Sequence, residues 1–105
     1  MRYVKINWLH EYESDPYLIY SEIGLDGYET RKIEFHKSGK IGFAFDEIEY
    51  NEAGLSEKEF PPLHELNAKD EWDEVRAVET DESEFENLWN QNIIPLLRTG
   101  SDSIQ

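Results

Sequence analysis

Cysteine is absent from this 105-residue chain, which removes disulfides, thiolate metal sites and cysteine nucleophiles from consideration. Long apolar runs are absent as well; nothing approaches the ~20 consecutive apolar residues that a membrane helix needs. The stretch Met1 to Trp8 alternates polar and apolar side chains, where a secretion signal would carry a continuous apolar segment. The expected setting is therefore the cytoplasm. Positive charge is scarce: 10 Lys and Arg stand against 24 Asp and Glu, a formal net of −14. Such a field repels nucleic acid and anionic lipid, and attracts cations or basic proteins. Neither a nucleic-acid nor a membrane partner is expected.

Aromatic side chains are plentiful: three Trp, six Tyr and five Phe make up 13% of the chain. Each ring buries a large apolar area, which a small domain needs. A chain of this size buries roughly two-thirds of its unfolded surface, so one core is feasible without staples. The sequence thus reads as a folded domain despite a mean hydropathy of −0.76. Residues 1–98 are expected to form one domain and 99–105 a frayed tail.

The acidic residues are not evenly spread. Positions 1 to 45 hold 7 acidic and 6 basic residues, whereas 46 to 86 hold 16 acidic and 3 basic ones. In the remainder Arg98 balances Asp102. Concentrated like charge costs stability through self-repulsion. A partner that neutralises it would explain its presence.

Alternation of side-chain character predicts strands over Tyr3 to Leu9, Tyr17 to Ile23, Tyr28 to His36 and Ile41 to Phe45. The turns between them carry Ser14-Asp15-Pro16, Gly24-Leu25-Asp26-Gly27 and Lys37-Ser38-Gly39-Lys40. Connections this short imply antiparallel pairing, because parallel strands need longer crossovers. Asp46 to Phe60 shows no clean period and reads as a long loop. A short helix is expected in the 61–68 region, opened by Pro61-Pro62. Glu74 to Thr80 is a weaker fifth-strand candidate. Asp81 followed by Glu84 signals a helix start, and Phe85, Leu88, Trp89 and Ile93 form one apolar stripe. Pro95 is expected to end or kink that helix. The fold class is α+β: an antiparallel meander of four to five strands packed against a C-terminal helix. The stripe is expected to cover the Val4, Ile6 and Trp8 face, since neither can bury its apolar surface alone.

Catalytic and metal-binding patterns are sparse. His10, His36 and His64 lie far apart with no His-x-x-x-His spacing, and turn-adjacent histidines are expected to be solvated. Neighbouring carboxylates such as Glu47/Glu49 or Asp70/Glu71 follow from composition alone, while acid–base work requires two groups of diverging pKa. No calcium-loop spacing occurs, and Asp70 to Glu74 lacks the glycine turn. Ser14, Ser21, Ser38 and Ser56 lack a glycine elbow, and Gly39-Lys40 lacks the rest of a phosphate loop. No cofactor, metal or catalytic residue is assigned, and the chain reads as a non-enzyme. Glu29, Arg31, Lys32 and Glu34 have a structural account: on a strand they alternate faces and can pair with opposite charges on neighbouring strands.

Several motifs together resemble a small uncharacterised bacterial domain family. They are Tyr3-x-Lys5-x-x-Trp8-x-His10, Pro16, Tyr20-Ser21-Glu22, Tyr28-Glu29-x-Arg31-Lys32-x-Glu34 and Gly39-x-x-Gly42-x-Ala44, then Pro61-Pro62-Leu63 and Phe85-x-x-x-Trp89. The resemblance covers Met1 to Trp89. It implies an acidic protein of the kind found beside secreted toxins, where an immunity protein protects the producing cell. It carries over no catalytic residues.

The functional expectation joins the charge to that resemblance: an immunity-type protein that neutralises a basic toxin, such as a nuclease, by occluding its cleft. The contact residues expected are Glu47, Glu49, Tyr50, Glu52, Glu57 and Glu59 of the long loop, with Asp70, Glu71, Trp72, Asp73 and Glu74 of the acidic turn. Charge attraction speeds encounter, while embedded aromatics set the dissociation rate. Unbound, the protein is expected to be a monomer or weak homodimer. The alternatives are a small interaction module for another partner, and an enzyme using carboxylates with His10 or His36.

Overall fold

The structure is a computed structural model and describes residues 1–10, 12, 14–67 and 74–98. Six strands form one sheet: β1 (Arg2–Leu9), β2 (Leu18–Ile23), β3 (Glu29–Phe35), β4 (Ile41–Phe45), β5 (Ile48–Tyr50) and β6 (Glu74–Thr80). Their order is β5-β4-β3-β2-β1-β6, and every neighbouring pair is antiparallel. Strands β1 to β4 make the expected meander, and β5 adds one more strand to it. The sixth does not extend it; β6 returns to the far side of β1, so β5 and β6 are the two free edges.

In the acidic half one expectation needs correction, and the short helix stands where it was expected. The stretch read as a long loop contains β5, which is only three residues long and too short to show a period. Asp46, at φ 52, closes the turn into it, a backbone region that Asp tolerates. The short helix α1 spans Leu63–Leu66, with Pro62 at its N-cap. Its chain turns away at Asn67, whose side chain is spent on β6. The Asn67 amide donates to the Ala77 carbonyl at 2.9 Å, and the Ala77 N–H donates back to Asn67 Oδ1 at 2.6 Å. One side chain thus stands in for a neighbouring strand at the middle of an exposed edge.

Helix α2 (Glu82–Leu88) starts where the sequence placed it, with Asp81 Oδ1 accepting the Glu84 N–H at 2.8 Å. Pro95 does not end the helix. A π-helical turn (Trp89–Ile93) precedes it and the helix continues to 98. In a regular α turn the proline ring would clash with the Gln91 carbonyl, and widening the turn moves that carbonyl aside.

The sheet buries apolar side chains on both faces. On one face Tyr3, Tyr20, Ile33 and Phe43 pack under Phe85, Trp89 and Ile93 of the helix. On the other, Val4, Ile6, Ile23 and Ala77 pack under Phe60, Leu63 and Leu66. The helical stripe therefore covers the Tyr3 face of β1, and the segment around α1 covers the Val4 and Ile6 face, the reverse of the expected pairing. Both faces of β1 carry apolar residues, and two separate covers share them.

At the centre of the helix interface lies a charged cluster. Arg31 faces Glu22 across β2–β3 and donates to it from Nε at 2.9 Å and Nη2 at 2.6 Å. Tyr3 and Thr30 hydroxyls donate to the same carboxylate at 2.9 and 2.7 Å, and Glu86 of α2 is a second partner of Arg31. The guanidinium carbon lies 4.8 Å from the ring centres of both Phe85 and Trp89. The Arg31 hydrogen bonds, with smaller help from Thr30 and Tyr3, outweigh burial and hold the Glu22 carboxyl at about 2. Burial first, then the Glu22 hydrogen bond, pushes the Tyr3 phenol up to about 12. These groups bind the helix to the sheet and have the structural role expected of Arg31.

Candidate protein-docking surface

Three connections lie at one end of the sheet: the β2–β3 turn near its middle, the Asp46-Glu47 turn at one edge and the junction between β6 and α2 at the other. The segment after β5 is tied to the same end. Ser56 N–H donates to Glu29 Oε1 at 2.9 Å, and Phe60 N–H donates to the Gly27 carbonyl at 2.8 Å. Gly27 adopts φ +89, which favours glycine, and it lies against the Glu59 side chain, whose Oε1 would stand 3.3 Å from a Cβ there. This arrangement brings Asp26, Glu57 and Glu59, all exposed, to one rim that continues toward Asp46 and Glu47, whereas Asp81 and Glu82 stand at the same end but follow β6 on the opposite edge of the sheet.

The anchor of that segment is a buried polar group. Glu29 accepts the Ser21 hydroxyl at 2.7 Å and faces Lys32 Nζ at 3.4 Å, and Lys32 in turn donates to the Gly54 carbonyl at 2.9 Å. Glu29 and Lys32 thus pair as structural charges and fix the acidic segment to the sheet. Gly42 makes room beneath it, since a Cβ there would lie 3.2 Å from the Ala53 Cβ and from two backbone oxygens.

The sequence-predicted contact residues do not form one surface. Glu47, Glu57 and Glu59 come together at the rim. Glu49 lies within β5, its carboxylate over Gly54. Tyr50 stacks on Phe43 with ring centres 4.9 Å apart and remains 42% exposed. Glu52 follows β5 at the other end of the sheet. Glu74 starts β6 on the opposite edge, five strand spacings or roughly 24 Å away at ~4.8 Å per spacing. Asp70, Glu71, Trp72 and Asp73 lie outside the described residues. Asp26 and Asp46 were missed because they are distant in sequence and reach the same end only through the sheet. The glycine-flanked Leu25-Asp26 tip was the available signal.

Charge pairing distinguishes the two signs. Arg31 and Lys32 are committed as above, Arg2 meets Glu79 at 3.0 Å, Arg76 meets Glu74 at 3.5 Å, and Lys37 donates to the His10 carbonyl at 2.8 Å. Among the described carboxylates of positions 46–86, all but Glu86 are exposed, and only Glu74, Glu79 and Glu86 have ion-pair partners. Lys58, between Glu57 and Glu59, and Arg2, which is paired with Glu79, stand as cations at this end.

Concavity at this end comes from two grooves. One of about 460 Å³ lies between Ser56, Lys58, Glu59, Phe60, Pro61 and Glu65. The other, of about 290 Å³, is lined by Met1, Arg2, Ile23, Gly24, Leu25 and Gly27.

The opposite end holds His10 and His36, and for these two the expectation of solvated rings is corrected, while His64 in α1 is exposed as expected. His10 is 9% and His36 5% exposed. Strand alternation carries His36 onto the same face as Lys32 and Glu34, which the turn beside it conceals. His10 Nδ1 accepts the Tyr12 N–H at 3.0 Å, so its proton sits on Nε2, which donates to the Pro16 carbonyl at 2.8 Å. His36 Nε2 stands 3.9 Å from Glu34 Oε1. Burial, then Lys40, lowers the His36 pKa, and burial raises that of Glu34. Both groups are therefore driven toward neutrality, and neither lines the grooves described above or the one of about 310 Å³ between Asn7, Trp8, Leu9, Tyr17 and Lys37. Among the described residues no three His, Asp or Glu side chains gather as a metal site, and no helix is long and apolar enough to cross a membrane.

A family profile described as "Domain of unknown function (DUF6881)" matches residues 2–94. No curated protein and no solved structure matches the chain.

Proposed function

We propose, for a chain that belongs to the DUF6881 domain family, that it is an inhibitory binding protein of immunity type. On this reading it occupies the substrate cleft of a basic toxin, with surface carboxylates standing where substrate phosphates would sit. The observation that carries the reading is the asymmetry of pairing: carboxylates of the 46–86 stretch face solvent largely without cations, while the chain's own cations are largely committed within the fold. An interface is built by steering charge at its rim, and the gathered end of the sheet offers such a rim. The protein performs no chemistry on this reading, and it acts in the cytoplasm where the toxin is made.

Affinity capture at low and high salt, with mass-spectrometric identification and reconstitution of the captured protein, tests the proposal. The expected partner is basic, loses its activity when bound, and is released by salt or by Glu47→Lys with Glu59→Lys. A partner that binds independently of salt and of both charge reversals contradicts the mechanism. A partner that binds by charge yet keeps its activity makes the protein an interaction module instead of an inhibitor.

A further inference from the structure

We infer that the notch between Met1 and Leu25 is the apolar anchor point of this surface, and that it takes an apolar side chain flanked by Lys or Arg on a cationic protein partner. The inference rests on the binding reading above and specifies where and what it binds.

Leu25 is 95% exposed and Met1 65%, whereas Ile23 between them is 1% exposed and forms the floor. An isolated exposed leucine needs no explanation. This one stands on a turn whose conformation is fixed. Gly24 N–H donates to the Tyr28 carbonyl at 2.9 Å, Gly27 N–H to the Gly24 carbonyl at 3.0 Å, and Tyr28 N–H to Asp26 Oδ1 at 3.1 Å. The Phe60 N–H bond to the Gly27 carbonyl holds the turn from the side at 2.8 Å. With the backbone held this way, binding has to order the Leu25 side chain but not the turn that carries it, which limits the ordering cost.

The surroundings decide the occupant. Asp26 follows Leu25 directly and Glu59 lies across Gly27, while Arg2, which lines the notch itself, is neutralised by Glu79 at 3.0 Å, so Asp26 and Glu59 set the sign of the rim. An apolar centre within a charged rim is the usual make-up of an interface anchor. A second copy of this chain would bring another net charge of −14 to the same place, and nucleic acid would bring phosphates, so both are repelled. A basic segment carrying one aliphatic side chain satisfies both parts of the site.

Fluorescence anisotropy with two labelled lysine-rich peptides, one with a central leucine and one with serine in its place, tests this. The leucine peptide is expected to bind about tenfold more tightly, the factor that partial burial of one leucine side chain gives. Leu25→Ser, which alters an exposed position and leaves the fold intact by circular dichroism, should abolish the difference while salt-dependent binding persists. Asp26→Lys with Glu59→Lys should weaken both peptides. Equal affinity for the two peptides, or a preference that survives Leu25→Ser, overturns the anchor while leaving the charge reading in place. If neither peptide binds in a salt-dependent way, the charge reading fails and the anchor with it.

Discussion

Acidification should reveal how much stability Glu22 contributes, and replacing it with Gln isolates that contribution. The side chain is 7% exposed and accepts from Arg31, Thr30 and Tyr3, so its charged form is favoured over that of an ordinary carboxyl with a value of 4.5. With its pKa held at about 2 in the folded protein, the unfolded chain takes up the proton first as pH falls. The contribution is therefore complete above 4.5 and disappears as pH drops toward 2. That gap, at 1.36 kcal/mol per pH unit, amounts to about 3 kcal/mol. The raw stability curve is not diagnostic, because protonating exposed carboxylates relieves self-repulsion down to the isoelectric point near 4.4 and leaves a growing net positive charge below it. The comparison that counts is the difference between the native chain and Glu22→Gln, measured by urea denaturation with Trp fluorescence in steps from pH 6 to pH 2. That difference should be constant down to about 4.5 and then shrink by about 3 kcal/mol. A difference that does not change with pH would mean that Glu22 titrates alike in both states, and the account of the cluster would be wrong.

Other outcomes follow from the packing. Phe85→Ala removes a ring that is fully buried against Tyr3 and Trp89, and should cost about 3–5 kcal/mol in chemical denaturation. Asn67→Ala strips both hydrogen bonds from Ala77, and should cost about 1–3 kcal/mol. It also leaves the edge of β6 open, so sedimentation velocity at high salt should detect self-association that the native chain lacks. Gly27→Ala places a Cβ at φ +89 beside Glu59, and a loss of about 1–2 kcal/mol is expected from thermal unfolding. With a net charge of −14, moderate salt should raise the unfolding midpoint by screening repulsion among the rim carboxylates.

The elements that were legible share strong local signals. Strands β1 to β4 alternate clearly and are separated by Gly, Pro, Asp and Ser, while α2 carries both its cap at Asp81 and its stripe. Strand β5 was not legible because three residues cannot display a period. The location of β6 depends on a long excursion through 51–73, and no local pattern says that the chain returns beside β1 instead of β5. The choice of face went wrong for a related reason: Tyr3 and Val4 are adjacent apolar residues on opposite faces of β1, and tertiary packing alone assigns the helix to one and α1 to the other. For the docking surface, the composition correctly located an excess of carboxylates, but contiguity in sequence was a poor guide to contiguity in space. Glu47 and Glu59 are joined through Gly27 and the sheet, whereas Glu49 and Glu74 sit on opposite edges. Leu25 drew no notice because glycine-flanked turns are read for backbone freedom, not for what their tips display.

Mapping amide shifts in the isotopically labelled protein during titration with the leucine-bearing lysine-rich peptide tests the central claim most directly. The account predicts that the changes concentrate at 23–28, 46–48 and 56–60, with little at 8–10 or 36–40. Shifts spread over all exposed carboxylates, or centred on the end that holds His10 and His36, would contradict a built docking surface at the β2–β3 turn.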